Sequence, residues 1–306
     1  MGEQMDTGLI FDIERFSAKD GPGLRTVIFF KGCNLACKWC HNPEGIHLKP
    51  EVMLSASKCI LCRKCEQTCK SRAHIFSGGR HVLLNERCDQ CMACTKVCFS
   101  GALRRIGKTM TVDEIMTEIC ADKELYEKSG GGVTLSGGEV MLQAEFAAGL
   151  LRACVERGIC TAVETNLSVA WEKYELVLPY TDMVFADIKL LDEQEHIRWT
   201  GSGNKQILGN LEKLKTGNTP FVIRTPIIPG VNDREEEIKN IAEKLKNSQN
   251  LCYYELLSYN ALGNSKGTLV RAPEIRLFEA LKPERARALA EAASKIIPTK
   301  LDGKEV

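Results

Sequence analysis

The chain has 306 residues, 44% of them hydrophobic and 26% charged, with a formal net charge of +1. That length suits one large domain or a domain with an added module, and the balanced charge supplies no global field for nucleic acid or an anionic membrane. No apolar run approaches the roughly 20 residues needed to span a bilayer. The acidic start, MGEQMDTGLIFD, has no apolar stretch of the signal-peptide kind, so a cytoplasmic protein with no membrane or nucleic-acid partner is expected.

Strand-like apolar segments alternate with amphipathic helical ones along the chain. Strands are predicted over 26–30, 132–135, 160–164, 183–188, 221–227 and 253–257, and helices over 112–128, 144–156, 171–178, 193–200, 207–215, 235–246 and 283–296. Thr111-Val-Asp-Glu114 reads as a capping box, and Asn232-Asp233 as the cap of a later helix. Such alternation implies an α/β fold with a parallel sheet and crossover helices. Six units make an open, partial (β/α)6 version of the TIM barrel, where chemistry sits at the C-terminal strand ends. Residues 58–103 break the pattern: they are cysteine-rich, with short β-like pieces such as 81–84. They read as an inserted module between a first part, 1–57, and the remainder of the barrel, 104–306.

Eleven of the fifteen cysteines fall in three short clusters. Without an export signal, such spacing points to metal in a reducing compartment rather than to disulfides. Cys33, Cys37 and Cys40 form a C-x3-C-x2-C string. Three thiolates on one loop bind three corners of a [4Fe–4S] cube and leave one iron open, whereas structural zinc takes four ligands. In the module, Cys59, Cys62, Cys65 and Cys69, then Cys88, Cys91, Cys94 and Cys98, repeat C-x2-C-x2-C-x3-C. This is the bacterial ferredoxin pattern, in which the fourth cysteine of each run ligates the other cluster. One cube is therefore expected on Cys59, Cys62, Cys65 and Cys98, the other on Cys88, Cys91, Cys94 and Cys69. The proline usual after the fourth cysteine is replaced by Lys70 and Phe99. Cys120, Cys154, Cys160 and Cys252 stand alone and are expected as small core residues.

The first string is wider than its cysteines. Gly21-Pro22-Gly23-Leu24-Arg25-Thr26 precedes the strand, and Gly32 and Asn42 flank the triad. The combination resembles the glycyl-radical-enzyme activating enzymes of the radical S-adenosylmethionine (SAM) superfamily, with landmarks over 8–45 and 129–264. The resemblance implies a radical SAM barrel with an inserted ferredoxin-like domain, three [4Fe–4S] clusters, SAM, and a monovalent cation. It implies that SAM chelates the open iron and is cleaved by an electron to methionine and a radical that takes a hydrogen atom from a glycine of a partner. Cys33, Cys37 and Cys40 are then the catalytic ligands and Trp39 lies beside the adenine. Ser136-Gly137-Gly138-Glu139 resembles the element holding the SAM amino group, with Val140 where a proline is frequent. Glu164-Thr165-Asn166 resembles a cation-binding element, Asp187 and Lys189 a pair facing the SAM carboxylate, and Arg224 another lining position. Asn260 stands where the family has a histidine. Asp20 and the Gly-Pro-Gly turn lie where the family contacts the partner's glycine loop. Each feature also has a plain structural counterpart: a core tryptophan, a β–α turn, an Asx turn, an ion pair.

The implied partners are a glycyl radical enzyme and flavodoxin or ferredoxin as reductant. The insert favours a dehydratase, decarboxylase or C–N/C–S lyase as the activated enzyme over pyruvate formate-lyase. Two other readings compete. One is a radical SAM enzyme acting on a small molecule or another peptide. Cys252, the only cysteine after Cys160, argues against the sulfatase-maturing type, which carries further clusters. The other is a ferredoxin-like electron-transfer protein, which leaves Cys33, Cys37 and Cys40 without a purpose.

Overall fold

The computed structural model describes residues 7–259, 276 and 278–306. Its strands are β1 (Thr7–Ser17), β2 (Arg25–Phe30), β3 (Glu51–Leu54), β4 (His74–Ser77), β5 (Arg80–Leu83), β6 (Leu103–Ile106), β7 (Lys108–Thr111), β8 (Gly132–Gly137), β9 (Cys160–Thr165), β10 (Met183–Asp187), β11 (Phe221–Ile227), β12 (Leu251–Ser258), β13 (Thr299–Leu301) and β14 (Lys304–Glu305). Ten of them form one sheet in the order β14-β13-β12-β11-β10-β9-β8-β2-β1-β7. The run from β2 and β8 through β12 is parallel and matches the six expected strands. The sheet is wider than six. A seventh parallel strand, β13, follows β12, and β1, β7 and β14 add antiparallel edges.

Alternation along these strands separates two environments. Val133, Leu135, Val163, Val184, Ala186, Phe221, Ile223, Tyr254 and Leu256 face the large core under the crossover helices. That core takes Phe146, Leu150 and Leu151 from Ala144–Val155 and Ile238, Ile241 and Leu245 from Glu235–Leu245. The intervening residues face the concave side, where only Ala162, Phe185 and Val222 form a small buried apolar group. The same alternation places Ser136, Glu164, Asp187, Arg224 and Glu255 on that side, near the C-terminal strand ends.

Thr111 forms the expected capping box with Glu114. The helix expected over 112–128 is two, Val112–Cys120 and Lys123–Ser129. Asp122 interrupts it, its carboxylate bonded to Arg15 and to the Thr26 hydroxyl. Asn232-Asp233 does not cap the next helix: Arg234 is its N-cap, without a side-chain cap bond. Asn232 instead ties the Ile228 amide to the Lys189 and Pro226 carbonyls. Of the isolated cysteines only Cys154 is in the core; Cys120, Cys160 and Cys252 are exposed. Cys120 closes a helix, and the other two start strands at the rim opposite the site.

Residues 51–106 stand outside the large sheet, with β3 paired to β6 and β4 to β5. The two cysteine runs repeat in backbone as well as in sequence. Leu61, Arg63 and Arg72 have positive φ, and so do Gln90, Met92 and Gly101, each 29 residues later. That offset also relates Cys59 to Cys88. Short helices Lys64–Thr68 and Ala93–Lys96 follow the repeated turns. Cys65 and Cys94 are buried with Val52, Leu54, Ala102 and Leu103.

Candidate active site

The loop after β2 carries Cys33, Cys37 and Cys40 and is pinned from three directions. The Gly32 and Cys33 amides donate to the Gly45 and Ile46 carbonyls at 2.7 and 2.8 Å. The Ala36 and Lys38 amides donate to the Thr200 and Trp199 carbonyls. Underneath, Leu35, Cys37 and Trp39 pack with Leu190, Trp199, Ile228, Val231 and Tyr259. Burial pushes each of the three thiols up to about 12. Such groups do not ionise at neutral pH without a compensating cation.

Gly137 and Gly138 lie directly against this loop. The Gly138 amide donates to the Phe30 carbonyl at 2.8 Å and the Glu139 amide to the Gly32 carbonyl at 2.6 Å. A Cβ at Gly138 would stand 2.0 Å from the Gly32 oxygen and 2.7 Å from the Gly45 oxygen, and Gly137 has φ +111. Both positions need glycine because backbone approaches backbone.

These elements enclose a cavity of about 430 Å³. Its walls include Cys33, Cys37, Trp39, Cys40, Gly137, Gly138, Glu164, Thr165, Asp187, Lys189 and Arg224, so the structure brings most of the expected site residues together. Asp20, Asn42, Ser136 and Asn166 also line it. Lys189 Nζ lies 2.7 Å from Asp187. Burial opposes its charge, yet Asp187, with Cys37 and Cys33, holds its pKa above the ordinary lysine value. Arg224 is clamped between two carboxylates, Glu164 and, at 2.8 Å, Glu255, and stacks on Phe185 at 4.1 Å. Ser136 donates to Glu164.

Glu139 stands behind the glycine turn and is fully buried rather than on the cavity wall. Its Oε1 accepts from the Met141 amide and the Thr165 hydroxyl, and its Oε2 accepts from the Asn166 amide at 2.7 Å. A carboxylate has about four acceptor positions, so one remains. Burial raises its pKa to about 7. The Thr165 hydroxyl is thereby turned inward, within 3.0 Å of Tyr174. The Asn166 amide group reaches the Cys33 sulfur at 3.6 Å. Asn260 lies outside the described residues.

The radical SAM superfamily model matches residues 27–245. The chain belongs to the radical SAM superfamily. Its relatives include a (2S)-3-sulfopropanediol dehydratase activating enzyme from Klebsiella oxytoca, 43% identical over 88% of this chain and 87% of that protein. A choline trimethylamine-lyase activating enzyme from Oleidesulfovibrio alaskensis is 40% identical over 84% of this chain and 85% of that protein. The fold is shared with the crystal structure of SuiB from Streptococcus suis bound to SAM, at a TM-score of 0.51 and 14% identity over 67% of this chain and 45% of that one. Membership implies a [4Fe–4S] cluster and SAM.

The donor set of this radical SAM enzyme fits such a cluster. Three thiols meet on one cavity wall, and among the described residues no other cysteine lines that cavity. Between residues 58 and 103, Cys59, Cys62, Cys65 and Cys98 line one small cavity, joining the first run to the end of the second. Among the described residues, no helix of the radical SAM enzyme is long and apolar enough to cross a membrane.

Two features escaped the sequence reading. Lys31 is wholly buried, donating to Glu51 Oε2 and the Glu44 carbonyl at 2.6 Å each, and so ties the cysteine loop to β3. Its signal was a lysine directly after an apolar strand. His74 and His81, on paired strands, are also buried. Cys65, His74 and His81 bring ligand atoms within 4.8 Å of one another.

Replacing Gly138 by alanine is expected to force the turn and the cysteine loop apart. The clash is with backbone oxygens, which cannot rotate away. Anaerobic reconstitution should then leave this radical SAM enzyme short of about four irons per chain. Full iron and unchanged SAM affinity would show that the close approach is dispensable.

Proposed function

We propose that this protein activates a glycyl radical enzyme of the dehydratase, decarboxylase or C–N/C–S lyase kind. The observation that carries the reading is the cavity in which three cysteines and, among the described residues, no fourth meet Gly137, Gly138, Asp187, Lys189 and Arg224. When bound, the cluster and SAM supply a carbon-centred radical that takes a hydrogen atom from the partner's glycine.

The chain's own residues hold and orient. Cys33, Cys37 and Cys40 hold the cluster from one side and leave the cavity side open. Trp39, 5% exposed and set edge-on to Phe278, offers an aromatic wall to the adenine. Gly137 and Gly138 let SAM approach the backbone, and Glu139, buried behind them, fixes the Thr165 hydroxyl and the Asn166 amide beside the cavity. Lys189 supplies a positive charge for the carboxylate, kept protonated by Asp187. The candidate cation element, Glu164, Thr165 and Asn166, shares its carboxylate with Arg224, whose guanidinium provides a built-in positive charge there. Asp20, on the same cavity wall, faces the path of the partner's glycine loop. Asn260 belongs to the same proposal.

The chain divides in this reading into 1–57 and 104–306, which build the barrel, and a ferredoxin-like insert over 58–103 holding two further [4Fe–4S] clusters. The repeated turns at an offset of 29 residues support it, as does the cavity shared by Cys59, Cys62, Cys65 and Cys98. The insert relays electrons from flavodoxin or ferredoxin in the cytoplasm.

Two experiments test these parts. Mixing the reduced holoenzyme and SAM with a 3-sulfopropanediol dehydratase or a choline trimethylamine-lyase should raise a glycyl radical signal in electron paramagnetic resonance (EPR). SAM cleavage with no radical in either partner would favour a small-molecule or other peptide substrate. Cys62→Ala should remove about four irons of about twelve and leave dithionite-driven SAM cleavage within about twofold, under 0.5 kcal/mol of barrier. Loss of all iron would make the insert a folding element and remove the support for a relay.

A further inference from the structure

The two cysteine runs of the insert give their sulfurs nearly matched surroundings. Cys69 accepts from the Ala73 amide at 3.3 Å and has the Ser71 hydroxyl at 3.3 Å. Cys98 accepts from the Leu103 amide at 3.3 Å and has the Ser100 hydroxyl at 3.7 Å. Histidine contacts break the match. His81 Nδ1 lies 3.3 Å from the Cys59 sulfur, and His81 Nε2 lies 2.9 Å from His74 Nδ1 and 3.9 Å from the Cys65 sulfur. Among the described residues no histidine stands so against Cys88, the equivalent of Cys59.

The direction of these bonds follows from chemistry. A cluster-bound cysteine is a thiolate and has no proton to give. The nitrogen closer to a thiolate, Nδ1 at 3.3 Å from Cys59 against Nε2 at 3.9 Å from Cys65, is therefore the donor. A neutral imidazole carries one N–H, so the other nitrogen of His81 accepts, and His74 Nδ1 donates to it. Both rings are buried, 6% and 3% exposed, and Phe76 stacks on His81 at 4.2 Å and 11°. The packing fixes the ring, and His74 fixes its tautomer, as outer partners of metal ligands commonly do.

We infer that His81, oriented by His74, donates a hydrogen bond to the Cys59 thiolate and makes the cube on Cys59, Cys62, Cys65 and Cys98 the more readily reduced of the insert's two. The inference rests on the two-cube reading above. A hydrogen bond to a cluster sulfur stabilises the more negative, reduced state and raises the potential. A single electron given to the insert by a one-electron reductant therefore resides on the first cube, which is reduced while the donor is oxidised. His81 is a positioning residue of that cube, not a ligand.

The test is a redox titration of the reconstituted holoenzyme followed by EPR. His81→Leu should lower one insert midpoint by about 59 mV, a tenfold change in the reduced-to-oxidised ratio for one electron, and leave the other two clusters unchanged. His81→Gln, which keeps an N–H donor, should recover most of the shift. A second measurement needs no variant: in protein labelled with 15N-histidine, the reduced insert should show a 15N hyperfine coupling on one cube. Full iron with an unmoved midpoint, or no such coupling, overturns the inference alone. Wild-type protein whose insert binds no iron overturns it together with the two-cube reading.

Discussion

Cys37→Ala is expected to abolish SAM cleavage, by at least about a thousandfold or about 4 kcal/mol of barrier, while the protein keeps the roughly eight irons proposed for residues 58–103. Cys37 is the most deeply packed of the triad, wedged among Leu35, Trp39 and Trp199. A cube held by three thiolates has no spare ligand, and among the described residues no further cysteine lines the cavity to replace it. Cys65 and Cys94 are buried in a group separate from the triad, so the iron proposed there is expected to be retained. Retained cleavage in this variant would remove the cavity from its assigned role. Loss of all iron would mean that the three cysteine clusters assemble as one unit.

The second large effect is expected at Arg224. Its guanidinium, 8% exposed, sits between Glu164 and Glu255. Burial works against its charge, but the two carboxylates hold its pKa above the ordinary arginine value. Arg224→Met leaves two facing carboxylates buried without a cation. Breaking a buried ion pair in this way costs about 3–5 kcal/mol, or roughly 10 °C in Tm, read by anaerobic thermal unfolding. Adding Glu164→Gln should recover more than half of the loss, because the penalty is the orphaned charge rather than lost packing. A loss under about 1 kcal/mol would show that water enters the cavity and solvates both carboxylates.

What the sequence made legible follows the range of the interactions. The six parallel strands were readable because each is a near-continuous apolar run. Asp187 and Lys189 were read as a pair, and the structure joins them at 2.7 Å. The cysteine clusters were readable because their ligands are near neighbours in sequence. The partners of those residues were not. Arg224 meets Glu255 across the β11–β12 pairing, which sets the two side by side. That contact depends on strand register, not on any local spacing. Glu139 and Thr165 were each read as facing a ligand, yet they bond to each other at 2.8 Å. The antiparallel strand β1 escaped because its second half is largely exposed and polar, with burial confined to a few positions. His81 was read only as part of a β-like piece, because nothing in sequence says that its ring turns toward Cys59.

The most direct test of the central claim is the formation of 5′-deoxyadenosine from SAM by the anaerobically reconstituted, dithionite-reduced protein, in the presence of a glycyl radical enzyme. The account predicts product that depends on the reductant and on each of Cys33, Cys37 and Cys40. No product from protein carrying its full iron would contradict it, and would leave an electron carrier built on a radical SAM fold.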